Sequence, residues 1–162
     1  HFGVDRFAKD LAQAGGVGVI TPDIIPEEAQ DWIRATDEAM IDRVFLVAPS
    51  SPRARIERVA EISTGFVYAA STMGVTGTRA SVGADAADLV SRVREVTRQP
   101  VCVGLGVSTP QQAAEVARYA DGVIVGSAFV RLVLEAKTPA AAVADVAALA
   151  AGMAAAVRSA RK

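Results

Sequence analysis

One cysteine, one histidine, one tryptophan and two tyrosines are all that this 162-residue chain holds of those types, and each scarcity closes off a class of chemistry. The lone Cys102 cannot close an internal disulfide, which fits a reducing cytosol. The one histidine is His1, so neither a Ser-His-Asp triad nor a histidine-rich metal site is expected. Lys+Arg at 17 against Asp+Glu at 18 give a formal net charge of -1, with no basic excess to attract nucleic acid. No apolar run is expected to reach the roughly 18 residues that a membrane-spanning helix needs, and no charged-then-apolar leader is visible. The expectation is a cytoplasmic protein. Aromatics make up 5% of a chain that is 51% hydrophobic, so alanine and valine dominate and favour helices packed on buried strands.

Short β-branched runs alternate with longer helical stretches. Strands are expected at 18–21, 43–48, 65–70, 101–104 and 122–125, each nearly continuous in apolar residues, as parallel strands covered on both faces should be. Pro26-Glu27-Glu28 reads as the first turn of a helix, Ser51-Pro52 as an N-cap followed by proline, and Thr109 with Gln112 as a capping box. From Asp85 to Val96, residues Ala86, Leu89, Val90 and Val93 fall on one helical face. The Ala-rich stretch from Pro139 to Lys162 reads as a helix packing through Val143, Val146, Met153 and Val157. Evenly repeated β-plus-α units, without G-x-G-x-x-G after a first strand, favour a (β/α)₈ barrel over a doubly wound sheet. Five of eight units are visible in a single domain spanning 1–162, so about three strands are expected to precede His1, where the opening Phe2-Gly3 reads as a cut.

Candidate functional residues sit at the C-terminal ends of these strands, the catalytic face of such barrels. Gly104-Leu105-Gly106 and Gly126-Ser127 follow the last two strands, and Gly74-Val75-Thr76-Gly77 follows the third. Glycine amides free of a Cβ, beside a hydroxyl and a helix start, suit a phosphate. The stretch from Ser71 to Gly83 reads as a loop closing over the site, with Thr76 available to bond substrate. Tyr68 reads either as a side chain pointing into the barrel mouth or as a core tyrosine bonded to backbone. Asp23 follows the first strand and reads as an orienting carboxylate, a contact with a neighbouring subunit, or an exposed loop acid. Cys102, Trp32 and Tyr119 read as packing residues.

Several stretches resemble one family in order and spacing. They are Thr21-Pro22-Asp23-Ile24-Ile25-Pro26-Glu27-Glu28, Phe45-Leu46-Val47-Ala48-Pro49, Gly65-Phe66-Val67-Tyr68 with Gly74-Val75-Thr76-Gly77, Gly104-Leu105-Gly106-Val107, and Val125-Gly126-Ser127-Ala128. Together they resemble the tryptophan synthase α subunit. The resemblance implies retro-aldol cleavage of indole-3-glycerol phosphate to indole and glyceraldehyde 3-phosphate, with no metal or organic cofactor in this subunit. It implies a β-subunit partner carrying pyridoxal phosphate, in an α2β2 complex. It implies Gly77, Gly106, Gly126 and Ser127 at the phosphate, with Ile20, Val47, Tyr68 and Leu105 around the indole. Thr76 would sit in the closing loop and Asp23 would face the β subunit. Leu105 stands where the family more often has Phe. The two catalytic carboxylates of the family belong to the second strand and its loop, so the chain alone is expected to be inactive. Another phosphate-binding barrel of isomerase or synthase type, or a non-catalytic half-barrel that dimerises, would share the paired glycines but not the whole set of motifs.

Overall fold

The computed structural model describes residues 2–70, 84–104 and 106–161. A first helix, α1 (Val4–Gln13), precedes strand β1 (Gly18–Ile20). Then come α2 (Gln30–Ala39), β2 (Asp42–Val44), β3 (Leu46–Val47), α3 (Arg53–Ile62), β4 (Val67–Ala70) and α4 (Ala84–Arg94). The chain continues through β5 (Val101–Gly104), α5 (Pro110–Ala117), β6 (Gly122–Val123), α6 (Ser127–Glu135) and α7 (Pro139–Ala160).

Every strand pair among the described residues is parallel. The expected strand 43–48 is divided: β2 pairs with β1, and β3, just past Phe45, pairs with β4. One extended run therefore serves a lower neighbour on one side and a higher neighbour on the other, which is the stagger of a barrel wall. Strands β3-β4-β5-β6 lie side by side in chain order. A doubly wound sheet reverses its order at a switch point, whereas a barrel does not.

The two faces of the wall are told apart by what packs there. Phe45, Val47, Val67, Ala69, Val101 and Val103 join the core formed with the helices, among them Ile56 and Val59 of α3 and Leu89 and Val93 of α4. The alternate residues, Val44, Leu46, Tyr68, Ala70, Cys102 and Gly104, face the interior. Arg43 confirms the parity from the helix side, where its guanidinium donates to Ile62 O, Thr36 Oγ1 and Asp37. Burying a strand on both faces removes about 25 cal/mol of unfavourable hydration per Å² of apolar surface, which is why these runs carry almost no polar residue.

Local expectations fare differently. The Thr109–Gln112 capping box forms, and Ala86, Leu89, Val90 and Val93 are each 1% exposed or less. Pro26–Glu28 makes a 3₁₀ turn instead of opening a helix, and α2 starts only at Gln30. Ser51 is not the N-cap of α3: Pro52 holds that place, and Ser51 Oγ accepts from the Ala48 amide. Helix α7 packs on α5 and α6 through Ala142 and Met153, but Val143 is 70% exposed, against the expected stripe. By length and composition α7 is apolar enough to cross a membrane, with mean hydropathy 1.9, which corrects the expectation that no such run exists. Its apolarity is largely that of alanine, the strongest helix former.

Candidate functional site at the C-terminal ends of the strands

The interior wall is tightly packed at Gly104 and Gly122, where β4, β5 and β6 run side by side. Tyr68 registers with Leu46 on one side and Cys102 on the other. In parallel pairing such partners point to the same face. Tyr68 is buried, and its ring crosses to β5 so that the hydroxyl lies over Gly104. A Cβ at Gly104 would fall 2.6 Å from Tyr68 Cζ and 3.0 Å from Ile124 Cβ. Gly104 is therefore the gap that admits the tyrosine, and Ile124 closes the same spot from beyond β6. Tyr68 is thus both interior-facing and buried.

Ile20 lies on the same face, in register with Val44, but two strands from Tyr68. It opens instead on a cavity of about 410 Å³ shared with Phe7, Trp32 and Asp23. Val47 requires a correction. It registers with Ala69, is 1% exposed and belongs to the helix-side core, so it cannot line a pocket with Tyr68. One residue earlier, Leu46 faces Tyr68 directly and is half-buried. Leu46, and not Val47, is the residue of this run on the Tyr68 face, because a one-residue step along a strand changes the face.

Beyond the strand ends, Gly106 takes φ 93°, a left-handed conformation that disfavours any side chain there. Gly126 is the N-cap of α6 and Ser127 its first residue. Among the described residues no side chain caps this helix, as is also true of α1, α2 and α3, whereas in α5 and α7 Thr109 and Thr138 accept an amide each. The first amides of a helix have no intrahelical acceptor and carry the positive end of its dipole. Among the described residues, nothing lies within 4 Å of where a Cβ at Gly126 would stand. Thr76, Gly77 and Leu105 lie outside the described residues.

Acidic groups at this rim are turned outward. Asp23 and Glu28 are exposed, and Glu27 pairs with Arg55 at 2.6 Å. The Arg55 hydrogen bond, helped by the backbone, holds the Glu27 carboxyl below its ordinary range. On the interior face, Asp42 sits at the start of β2, the end of the wall opposite Gly106 and Gly126. Burial pushes the Cys102 thiol up, with Asp121 adding to the effect and Arg161 opposing it. No cluster of metal-binding side chains occurs among the described residues. A larger cavity, about 710 Å³, lies on the helix side between α6 and α7, away from the strand ends.

Comparison with known proteins agrees with this geometry. A family model described as tryptophan synthase alpha chain matches residues 1–158. The tryptophan synthase alpha chain of Thermobifida fusca is 58% identical over 164 residues, covering 99% of this chain and 61% of the relative. That of Mycobacterium marinum is 62% identical over 130 residues, covering 80% of this chain and 48% of the relative. Mycobacterium tuberculosis tryptophan synthase superposes with a TM-score of 0.87 at 54% identity, over 97% of this chain and 58% of that one. The chain from the Pyrococcus furiosus α2β2 complex gives 0.84 at 30% identity, over 94% of this chain and 61% of that one. The chain thus spans about half to three fifths of the length of these relatives, and its wall of parallel strands is part of their (β/α)₈ barrel. With the family model matched along almost its whole length, the chain belongs to the tryptophan synthase alpha chain family.

Proposed function

We propose that this chain forms the substrate-binding wall of a lyase of tryptophan biosynthesis that cleaves indole-3-glycerol phosphate to indole and glyceraldehyde 3-phosphate. The observation that carries the reading is the pairing of an apolar interior with an uncapped helix N-terminus just beyond it. Leu46, Tyr68 and Ile124 would contact the indole, with Ile20 at the margin. Gly106, Gly126 and Ser127 would hold the phosphate through backbone amides and one hydroxyl. Cleavage needs a proton delivered to the indole ring and another removed from a hydroxyl. No metal or organic cofactor of this chain enters that scheme; pyridoxal phosphate would belong to a β partner, toward which Asp23 would project. With Glu27 held by Arg55, Asp23 exposed and Asp42 at the far end of the wall, no buried carboxylate among the described residues stands beside Tyr68 for either proton transfer. The chemistry is assigned to units outside this chain, and the chain alone to binding without turnover.

Calorimetric titration with indole-3-glycerol phosphate tests this. The chain should bind the ester and release no indole, and Ser127→Asp should abolish binding through repulsion of the phosphate. An acid at the first position of a helix favours the helix itself, so the loss would not be one of folding. Binding indifferent to Ser127→Asp would refute the phosphate assignment, and indole release by the chain alone would refute the division of labour.

A further inference from the structure

We infer that Arg92 of α4 is a positioning residue for the apolar wall, an inference that rests on the binding role proposed for Leu46 and Tyr68. Strand β3 has only two residues in its ladder with β4, Leu46 and Val47. So short a ladder fixes Leu46 weakly, and the turn after the strand must do the rest. That turn comes at once. The Ser51 amide donates to Ala48 O at 2.8 Å, and the Ala48 amide donates to Ser51 Oγ at 3.0 Å. Both bonds close the turn on itself and neither ties it to the body of the protein.

Arg92 supplies that tie from another β/α unit. Its Nη1 donates to Ser51 O at 3.0 Å and its Nη2 to Pro49 O at 2.9 Å. Its Nε lies 3.2 Å from Asp88 Oδ2, one helical turn back, an ion-pair approach without a hydrogen bond. The helix under it is anchored by Leu89 and Val93, both buried in the core. Two carbonyls two residues apart match the planar fork of a guanidinium, whereas an ammonium reaches one at a time. The chain of contacts runs from the α4 core through the fork to the turn, and from Ala48 back two residues to Leu46 beside Tyr68. Arg92 itself touches no residue of the interior face among the contacts that define it. Its effect is to hold one side of the apolar wall at a fixed distance from the other.

The test uses the 162-residue chain with Arg92→Met and Arg92→Lys, titrated with indole alone and with inorganic phosphate alone. Arg92→Met should weaken indole by roughly 3- to 10-fold, inside the span of about 2- to 30-fold for a residue coupled to a site it does not touch, and leave phosphate within about twofold. Arg92→Lys should recover part of the loss. Amide exchange at Ala48 and Ser51 in the unliganded chain should quicken in Arg92→Met while that of Val103 stays unchanged. Unchanged indole affinity, parallel loss of indole and phosphate, or unchanged exchange at Ala48 would each overturn the inference. A wild-type chain that binds neither probe would overturn the proposed function and this inference with it, whereas wild-type binding matched by Arg92→Met would overturn the inference alone.

Discussion

The tightest prediction concerns Gly104, where the interior wall has no room for a methyl group. In Gly104→Ala the new Cβ would lie 2.6 Å from Tyr68 Cζ, 3.0 Å from Ile124 Cβ, and closer still to the Tyr68 hydroxyl. Real Cβ contacts do not occur at such separations, so the ring must move by about 1 Å to restore ordinary contact distances. A hydroxyl at the tip of a flexible side chain could swing clear at little cost. Tyr68 is 7% exposed and flanked in register by Leu46 and Cys102, so it cannot. Overpacking of this kind costs typically about 1–3 kcal/mol, against roughly 0.5–1 kcal/mol gained by removing a glycine from a strand. The expected net destabilisation is about 1.5 kcal/mol, or roughly 3–6 °C in Tm for a chain of this size. The decisive measurement is a double-mutant cycle in urea. Tyr68→Leu removes the ring that the methyl strikes, so Gly104→Ala in that background should cost nothing or stabilise slightly. The coupling energy should offset at least about 1 kcal/mol of the single-mutant sum. Additive effects would show that the clash is relieved elsewhere and that Tyr68 does not occupy the space over Gly104.

Three further outcomes come from other parts of the fold. Met40 closes α2 in the left-handed conformation, φ 54°, with Ile41 N–H on Thr36 O and Met40 N–H on Asp37 O, and it is 91% exposed; Met40→Gly should therefore stabilise by about 1 kcal/mol, read as a rise of roughly 2–4 °C in Tm, and a fall would refute the strain. Arg43→Met should cost about 2 kcal/mol in urea unfolding by stranding Ile62 O, while Thr36 Oγ1 keeps its bonds to the Trp32 and Ile33 carbonyls and the exposure of Asp37 limits the loss; an unchanged midpoint would show that Ile62 O finds another partner. Asp121 is pushed up by partial burial, but the Val101 amide and Arg94 outweigh this and hold its carboxyl below the ordinary 3.8. A depressed folded-state pKa contributes stability that is present above the unfolded value and lost as pH falls through the folded one. The Tm gap between wild type and Asp121→Asn should therefore be constant above about pH 5 and shrink below 3.8; a gap that persists undiminished at about pH 2 would refute the assignment.

What the sequence discloses and what it hides have the same cause. Continuous apolar runs such as Val44-Phe45-Leu46-Val47 announce a buried parallel strand, and all five regions are legible for that reason. The same continuity erases the period-2 alternation that would say which residue faces which way. Val47 and Leu46 are equally apolar, so choosing between them as a wall for Tyr68 needs register, which only pairing with β4 supplies. The parity is nonetheless written in the residues that break the run. Arg43, two short of Phe45, would be intolerable inside an apolar barrel unless it faced the helix ends, where Ile62 O, Thr36 and Asp37 receive it. Counting from Arg43 puts Phe45 and Val47 with the helices and Val44 and Leu46 inside. Gly104 says the same from β5, since a glycine that ends a β-branched run and sits across from an aromatic is a gap kept for it. The uncapped start of α6 is legible in another way: Ser51-Pro52 looks like a cap and is not one, whereas Gly126-Ser127 lacks a capping side chain and leaves its amides available.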